Sequence, residues 1–507
     1  MNVELPETSG GPDNLLSGCA PRTGSGTFTE KYSLVGEAPR FLLPSATRTT
    51  SCPGHQKVRA PRWLAYGLAL AASILGGSFA HATAVLPPNI TSAPWPPEKL
   101  ANHNLGLEPD VKLTPLEQTI DKEWKTLHDN YGIVPFLAYW GDFLGNPSGG
   151  KGQAFTGFQL LQFGAEVKME RYGWEGGSLF VSGAQASGHN LSTKIGNAFY
   201  VAQSVVGMNT IALDNLYIKQ VWGKDDLLEF RIGRMAAGSA FANLPIQGLA
   251  VSGATNGNPT SLGDNAPFHS SAGTSWAALT KVRPSKDTYS QVGLYQANAT
   301  AGKTAYHGLN FSVHSTDGLL AIAQTGWTPF FGRTKGETGE GNPGLPGHYQ
   351  LGTYYSRYTF DSFIAGSQKN AYGFYGQGQQ MVWRDHGIPD LNLTLWGGLT
   401  VSPQPDISLM PVMAYGGIDL HGPIPGRRDD SLYMNVYRGQ FSSAFSSSSL
   451  SAGTGAVSQE TDLEWGYVIH VTRNLSVQPD LQYIIRPGGT GTIPNAVVAG
   501  FQIAAVF

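Results

Sequence analysis

The chain carries two cysteines in 507 residues, Cys19 and Cys52, and both precede its one long apolar run. Disulfide stapling and thiol chemistry are therefore excluded for everything downstream. Charge is scarce as well. Lys, Arg, Asp and Glu make up 14% of the residues, against about 25% in a soluble domain. The net charge is −3 and no basic run lies beyond the N-terminal region, so no nucleic-acid partner has an electrostatic footprint here. A single apolar stretch approaches the length of a membrane helix, which excludes a helical bundle in the bilayer. Low charge with 11% aromatics also excludes a disordered chain. Glycine is what abounds: 65 residues, about 13% against a usual ~7%. Such a composition predicts an all-β chain, and one able to face lipid.

The apolar run, Leu64 to Phe79, follows Lys57, Arg59 and Arg62 and precedes Ala80-His81-Ala82-Thr83-Ala84. That is the basic, apolar and A-x-A order of a secretory signal peptide, expected over residues 57–82. A membrane anchor is the alternative reading of the same run. Signal peptides begin near the start codon, so residues 1–56 are expected to lie outside the true product, with initiation near Val58. Residues 83–113 read as a Pro-rich leader, with Pro87, Pro88, Pro94, Pro96 and Pro97 in quick succession. Thr114 then offers an N-cap, Pro115 suits the first helical position and Glu117 completes a capping box. Leu116, Ile120, Trp124, Leu127 and Tyr131 form one apolar stripe before Gly132. A short amphipathic helix is expected over 114–132, serving either packing or partner docking.

After Gly132 the period falls to two. Leu463, Trp465, Tyr467, Ile469 and Val471 share one face against Glu464, Gly466, Val468 and His470. Leu161, Phe163, Ala165 and Val167 alternate with Gln162, Glu166 and Lys168, and Leu393, Leu395 and Leu399 with Asn392, Thr394, Trp396 and Thr400. A soluble sandwich alternates too. Three features favour a barrel in lipid. The segments run about 9–11 residues, the length of a tilted spanning strand. Aromatics gather toward segment ends, as Tyr354, Tyr355 and Tyr358 do, in the manner of interfacial girdles. The chain also ends inside an alternating segment, Val497, Ala499, Phe501, Ile503, Ala505 and Phe507, which makes sense only if that edge is closed. The expectation is a closed antiparallel transmembrane β-barrel over 133–507 with about 16 strands, 18 being the alternative, around a water-filled lumen.

Several stretches resemble the carbohydrate-selective porin family of the OprB type. They are Tyr172-Gly-Trp-Glu-Gly-Gly-Ser-Leu179, Leu227-Leu-Glu-Phe-Arg-Ile-Gly-Arg234, Leu345-Pro-Gly-His-Tyr-Gln-Leu-Gly352, His421-Gly-Pro-Ile-Pro-Gly-Arg-Arg-Asp-Asp430 and Leu475 to Gly489. The resemblance runs from about Glu117 to Phe507. It implies a 16-stranded barrel in a Gram-negative outer membrane that passes sugars such as glucose by diffusion, with lipid around it, as a monomer or homotrimer, and with no cofactor.

A channel favouring sugars needs hydrogen-bonding groups and aromatic faces that bind weakly enough for release. Alternation and composition nominate Tyr217, Lys219, Glu229, Arg231, Arg234, Trp396, Arg427, Arg428, Asp480 and Gln482 as pore-lining. For each, a plain solvated wall is the competing reading, and Arg427 to Asp430 suits a constriction or an ion-paired turn equally. Enzyme chemistry has no support: there is no H-E-x-x-H and no G-x-S-x-G, and Gly302-Lys303-Thr304 lacks the first phosphate-loop glycine, Ala297 standing there. A pore for sugar acids or other small polar metabolites, or a general pore, is the near alternative. A secreted β-rich polysaccharide-binding protein or enzyme is the remote one.

Overall fold

The computed structural model describes residues 114–202, 208–270, 273–298, 301–334, 344–388, 390–451 and 455–507. The expectations for 1–56, for the signal peptide and for the Pro-rich leader lie outside the described residues.

Residue alternation becomes strand after strand. The first half of the chain forms β1 (Ile133–Ser148), β2 (Phe155–Lys168), β3 (Gly177–Gly188), β4 (Thr210–Trp222), β5 (Leu228–Met235), β6 (Ser275–Ser285), β7 (Thr288–Ala297) and β8 (Gly318–Trp327). The two-residue β9 (Phe330–Phe331) follows. The second half forms β10 (Leu345–Asp361), β11 (Ser367–Arg384), β12 (Asn392–Val401), β13 (Val412–His421) and β14 (Ser431–Gln440), then β15 (Gln459–His470), β16 (Leu475–Ile485) and β17 (Ala496–Val506). Neighbours pair antiparallel throughout, β8 reaching past β9 to β10. β1 pairs with β17, Ala138 opposite Val506, and Leu137 and Phe507 exchange two backbone hydrogen bonds of 3.1 and 2.8 Å. The result is the expected closed barrel of 16 strands, with β9 as an extra. Closure is what a bilayer demands, because a lipid-facing edge would strand its amides.

The side-chain faces obey the alternation. In β15 every second residue from Glu460 to His470 is buried, while Leu463, Trp465 and Ile469 point outward. In β14 Leu432, Met434 and Val436 are exposed while Tyr433, Asn435 and Tyr437 are buried. The outward set is apolar because lipid is its solvent.

The two ends differ. Beside the termini the connections include the short 223–227, 286–287 and 471–474, whereas 189–209, 236–274, 298–317 and 441–458 lie at the other end. Short periplasmic turns and long external loops are the rule for such barrels. Helix α1 (Pro115–Tyr131) has the capping box of Thr114 and Glu117. It follows the periplasmic rim. Near its start Glu117 accepts from Asn474 N (3.0 Å) and Asp121 from Arg473 (3.2 Å), and at its end Tyr131 O accepts from Tyr172 (3.2 Å).

The lumen departs from the open, water-filled tube expected from strand number. Segments 189–202 and 236–270 fold inward, carrying the short helices α2 (Ser192–Ile195) and α3 (Thr260–Asn265). Phe199, Leu244, Ile246 and Leu249 pack with Trp396, Tyr415, Tyr433 and Tyr437 of the wall. Phe241, Leu262 and Phe268 pack with Phe180, Tyr217, Tyr295 and Tyr375. Alternation reports which side a strand residue takes and is silent about what a loop will do with the space inside.

Candidate functional site

Segment 236–270 is rich in small and apolar residues and exposes many backbone amides, which need partners once they leave water. The wall supplies them with glutamines. Gln324 accepts from Ala242 N (2.9 Å), Gln379 from Ile246 N (3.0 Å), and Gln350 donates to Asn243 O (2.8 Å). Gln377 accepts from Gln247 (3.1 Å) and Tyr415 (2.8 Å) and donates to Gln350 (2.7 Å). Gln478 donates to Leu249 O (2.7 Å). An amide both donates and accepts without carrying charge, so this network satisfies the segment without the desolvation cost of ions.

On the far side, carboxylates take over. Glu464 Oε1 accepts from Val251 N (2.7 Å) and Ser252 N (2.9 Å), and its Oε2 accepts from Asn435 (3.1 Å) and Tyr437. Glu460 accepts from the amides of Ala198 and Phe199 at 2.8 Å and from Gly488 N, while Gln482 donates to Val201 O (2.8 Å). The two inward segments also meet each other. Gly253 N donates to Tyr200 O (2.8 Å), and a Cβ on Gly253 would sit 2.2 Å from Ala202 O. Asp264, on α3, keeps an exposed side chain, and the protein around it raises its carboxyl above the ordinary value.

The wall from β2 to β6 is charged and aromatic. Glu166 meets Lys219 at 2.5 Å, Lys168 at 3.4 Å and the Ser178 hydroxyl at 2.7 Å. Glu229 meets Arg231 at 2.6 Å and Arg283 at 3.8 Å. Phe136, Phe180 and Tyr217 stack with centroids 5.8 and 5.0 Å apart, and the Arg231 guanidinium lies 5.6 Å from the Tyr217 centroid. Lys281 rests 4.4 Å from the Tyr289 ring centroid.

A closed 16-stranded barrel with inward segments, a neutral amide network and paired charges is a channel, and its sequence places it. Residues 152–507 match the model of a family described as carbohydrate-selective porin, OprB family. The chain belongs to that family. This porin is therefore a passive sugar channel of the Gram-negative outer membrane and not an enzyme. It is 28% identical to Porin B of Pseudomonas aeruginosa, over 73% of this chain and 87% of that one. The high-pH structure of Pseudomonas putida OprB shares its fold with a TM-score of 0.67 at 24% identity, covering 76% of this porin and 96% of that chain. The low-pH structure of the same protein gives 0.49 at 20%.

Of the residues nominated from sequence, Tyr217, Lys219, Glu229 and Arg231 come together on the inner face of β4 and β5, with Glu166 beside them. Trp396 also points inward, donating from Nε1 to Asn435 (3.1 Å), but it is packed under the 236–270 segment. Asp480 and Gln482 face inward and lie covered, Asp480 accepting from Tyr433 (3.2 Å) and Gln482 (2.8 Å). Arg234 is a correction. It shares the outward side of β5 with Ile232, where it donates to Asn310 O and Thr274 O at 2.7 Å and stacks 4.9 Å from the Phe311 centroid. It anchors the 301–317 segment to the barrel's outer wall. Arg427 and Arg428 lie in the β13–β14 turn at the periplasmic end. Arg427 pairs with Asp430 (2.5 Å), and Arg428 donates to Gly422 O (2.8 Å), the ion-paired turn of the two readings.

Sequence reasoning missed the glutamine network, Glu460 and the inward segments. One signal was available: Gln377 and Gln379 share the inner parity of β11, and Gln324, Gln350 and Gln478 hold the same parity in their strands.

Proposed function

We propose that segments 189–202 and 236–270 form the eyelet of this porin. It passes neutral monosaccharides such as glucose, with Tyr217, Lys219, Glu229, Arg231 and Glu166 lining the approach on the β2–β6 wall. The carrying observation is that Ala242 to Leu249 of the inner segment are held by uncharged glutamine amides while Glu166 and Glu229 on the wall are ion-paired. A solute that offers hydroxyls exchanges its water for these groups, and none of them binds tightly enough to hold it. The stacked rings of Phe136, Phe180 and Tyr217 complement this with an apolar surface for ring C–H groups. One chain closes one whole lumen, so passage needs no second copy.

A second reading has its own support. Lys168, Lys219, Arg231, Lys281 and Arg283 outnumber Glu166 and Glu229 on this wall, and no carboxylate lies within ion-pair distance of Lys281 among the described residues. That balance favours sugar acids. Reconstitution in planar bilayers with glucose, maltose and gluconate separates the two: current block and liposome swelling led by glucose support the first, and led by gluconate the second. Residues 57–82 are taken as the signal peptide. N-terminal sequencing of the exported protein should begin near Thr83, and a start upstream of Lys57 refutes that assignment.

A further inference from the structure

Arg234 stands on the outward side of β5, near the end where the long connections lie, and is 4% exposed. β5 stops one residue later, and the β4–β5 pairing runs out at Leu216 opposite Arg234. The segment 301–317 closes over the position that β5 leaves. The His307 carbonyl accepts from Leu213 N of β4 (2.9 Å), and the Phe311 carbonyl from Trp276 Nε1 of β6 (3.0 Å). A narrow cleft stays open between this segment and the strand ends, with Arg234, Thr274, Ser275, Gln296, Lys303 and Tyr306 in its lining.

The charge of Arg234 is uncompensated there. Two of its nitrogens donate to the Asn310 and Thr274 carbonyls, which carry no charge, and the third, Nε, is buried without a partner. Thr274, 2% exposed, likewise leaves its hydroxyl without one. Among the described residues no carboxylate lies within ion-pair distance of Arg234 or of Lys303, whose side chain is exposed. Asp317, bonded to the lining Gln296 (2.6 Å), is also held by His314 N (2.8 Å). Buried donors left without an acceptor cost free energy, and an unpaired cation costs more, so the cleft calls for an anion.

The surroundings say what carries that anion. Ile232 and Leu294 share the outward faces of Arg234 and Gln296, two residues nearer the middle of their strands, and are exposed and apolar. So are Leu309, Phe311 and Val313 on the covering segment. Trp276, opposite Arg234 in the β5–β6 register, is exposed as well and meets Phe311 edge-on with centroids 6.0 Å apart. Cations at the margin of a lipid-facing apolar band, beside an interfacial tryptophan, match a molecule with an anionic head and acyl chains. A phosphate monoester offers several oxygens at once, enough for a guanidinium, a hydroxyl and an ammonium. We propose that the cleft binds the phosphate head of an acylated lipid in the outer leaflet, its chains lying along Ile232, Trp276 and Leu294. The site is on the outside of the barrel and stands apart from the eyelet.

The test uses the full chain purified in detergent, with dibrominated lipids as quenchers, and reads the part of the tryptophan emission that Trp276→Phe removes. Dibrominated phosphatidic acid, a phosphate monoester, should quench Trp276 at a roughly tenfold lower mole fraction than phosphatidylcholine with the same chains. Lys303→Glu and Thr274→Val should each erase most of that preference. Neither variant removes the carbonyls that hold Arg234, so heat-modifiable gel mobility should stay that of the wild type. Lys286→Glu, exposed in the β6–β7 turn at the opposite end, should keep the preference. Millimolar inorganic phosphate should leave quenching by phosphatidic acid unchanged, since it lacks the chains. Equal quenching by the two lipids overturns the site, and so does a preference that survives in folded Lys303→Glu and Thr274→Val. Release of phosphatidic acid by inorganic phosphate overturns the lipid as occupant and makes the cleft a site for a free anion.

Discussion

Glu464 is the residue whose loss should open the eyelet most. Its Oε1 holds the amides of Val251 and Ser252, and its Oε2 holds Asn435 and Tyr437. A hydrogen bond contributes about 0.5–1.5 kcal/mol net, so the two segment amides account for roughly 1–3 kcal/mol. At about 1.4 kcal/mol per factor of ten, the detached population near 250–254 rises by roughly one to two orders of magnitude in Glu464→Leu. Detachment stays local, because Gln324, Gln350, Gln377 and Gln379 still hold 242–247, and Asn265 still bonds Ser402 and Met410 O. Single-channel conductance in planar bilayers should rise, and the ratio of maltose to glucose swelling rates should increase several-fold. Glu464→Gln should show a smaller change, since its amide oxygen can still accept from both segment amides. A folded, heat-modifiable Glu464→Leu with unchanged conductance and an unchanged maltose-to-glucose ratio refutes the eyelet geometry.

Other substitutions follow the same logic. Gly253→Ala places a Cβ 2.2 Å from Ala202 O, so the two inward segments must separate; conductance should rise, and an unaltered value refutes their contact. Arg231→Ala leaves Glu229 with only the longer Arg283 contact and adds a negative charge to the lumen wall, so reversal potentials should shift toward cations. Arg234→Ala should leave reversal potential and sugar permeation as they are and lower only the temperature of heat modification. The Asp264 carboxyl, raised from 3.8 to about 7 by the protein around it, is charged above that pH and neutral below it. Cation preference should therefore fall as pH drops from about 8 to about 6, and Asp264→Asn should remove the dependence; a midpoint near the ordinary carboxyl value refutes the shift.

The sequence spelled the wall and not its contents. Glu464 and Gln482 could be assigned to the inner face because neighbours two residues apart repeat their polarity, and the structure keeps that parity along β15 and β16. Closure was readable from a terminal strand that ran to Phe507. Arg234 went astray because its charge was weighed above its position: Leu228, Phe230 and Ile232 share its parity and face outward. The inward segments were hidden for a deeper reason. Their burial comes from contacts such as Gln478 with Leu249 O and Glu460 with Phe199 N, which are long-range in sequence. No local period records which wall a loop will find.

Leu137 and Phe507 hold hands across almost the whole described chain. The seam joins β1 to β17, so no fragment that lacks β17 can possess it. Without it both margins of the sheet stay open to any passing strand. Both strands share the sealing along their length, from Ala138 opposite Val506 to Ser148 opposite Val497, so the barrel closes only when β1 and β17 are present together.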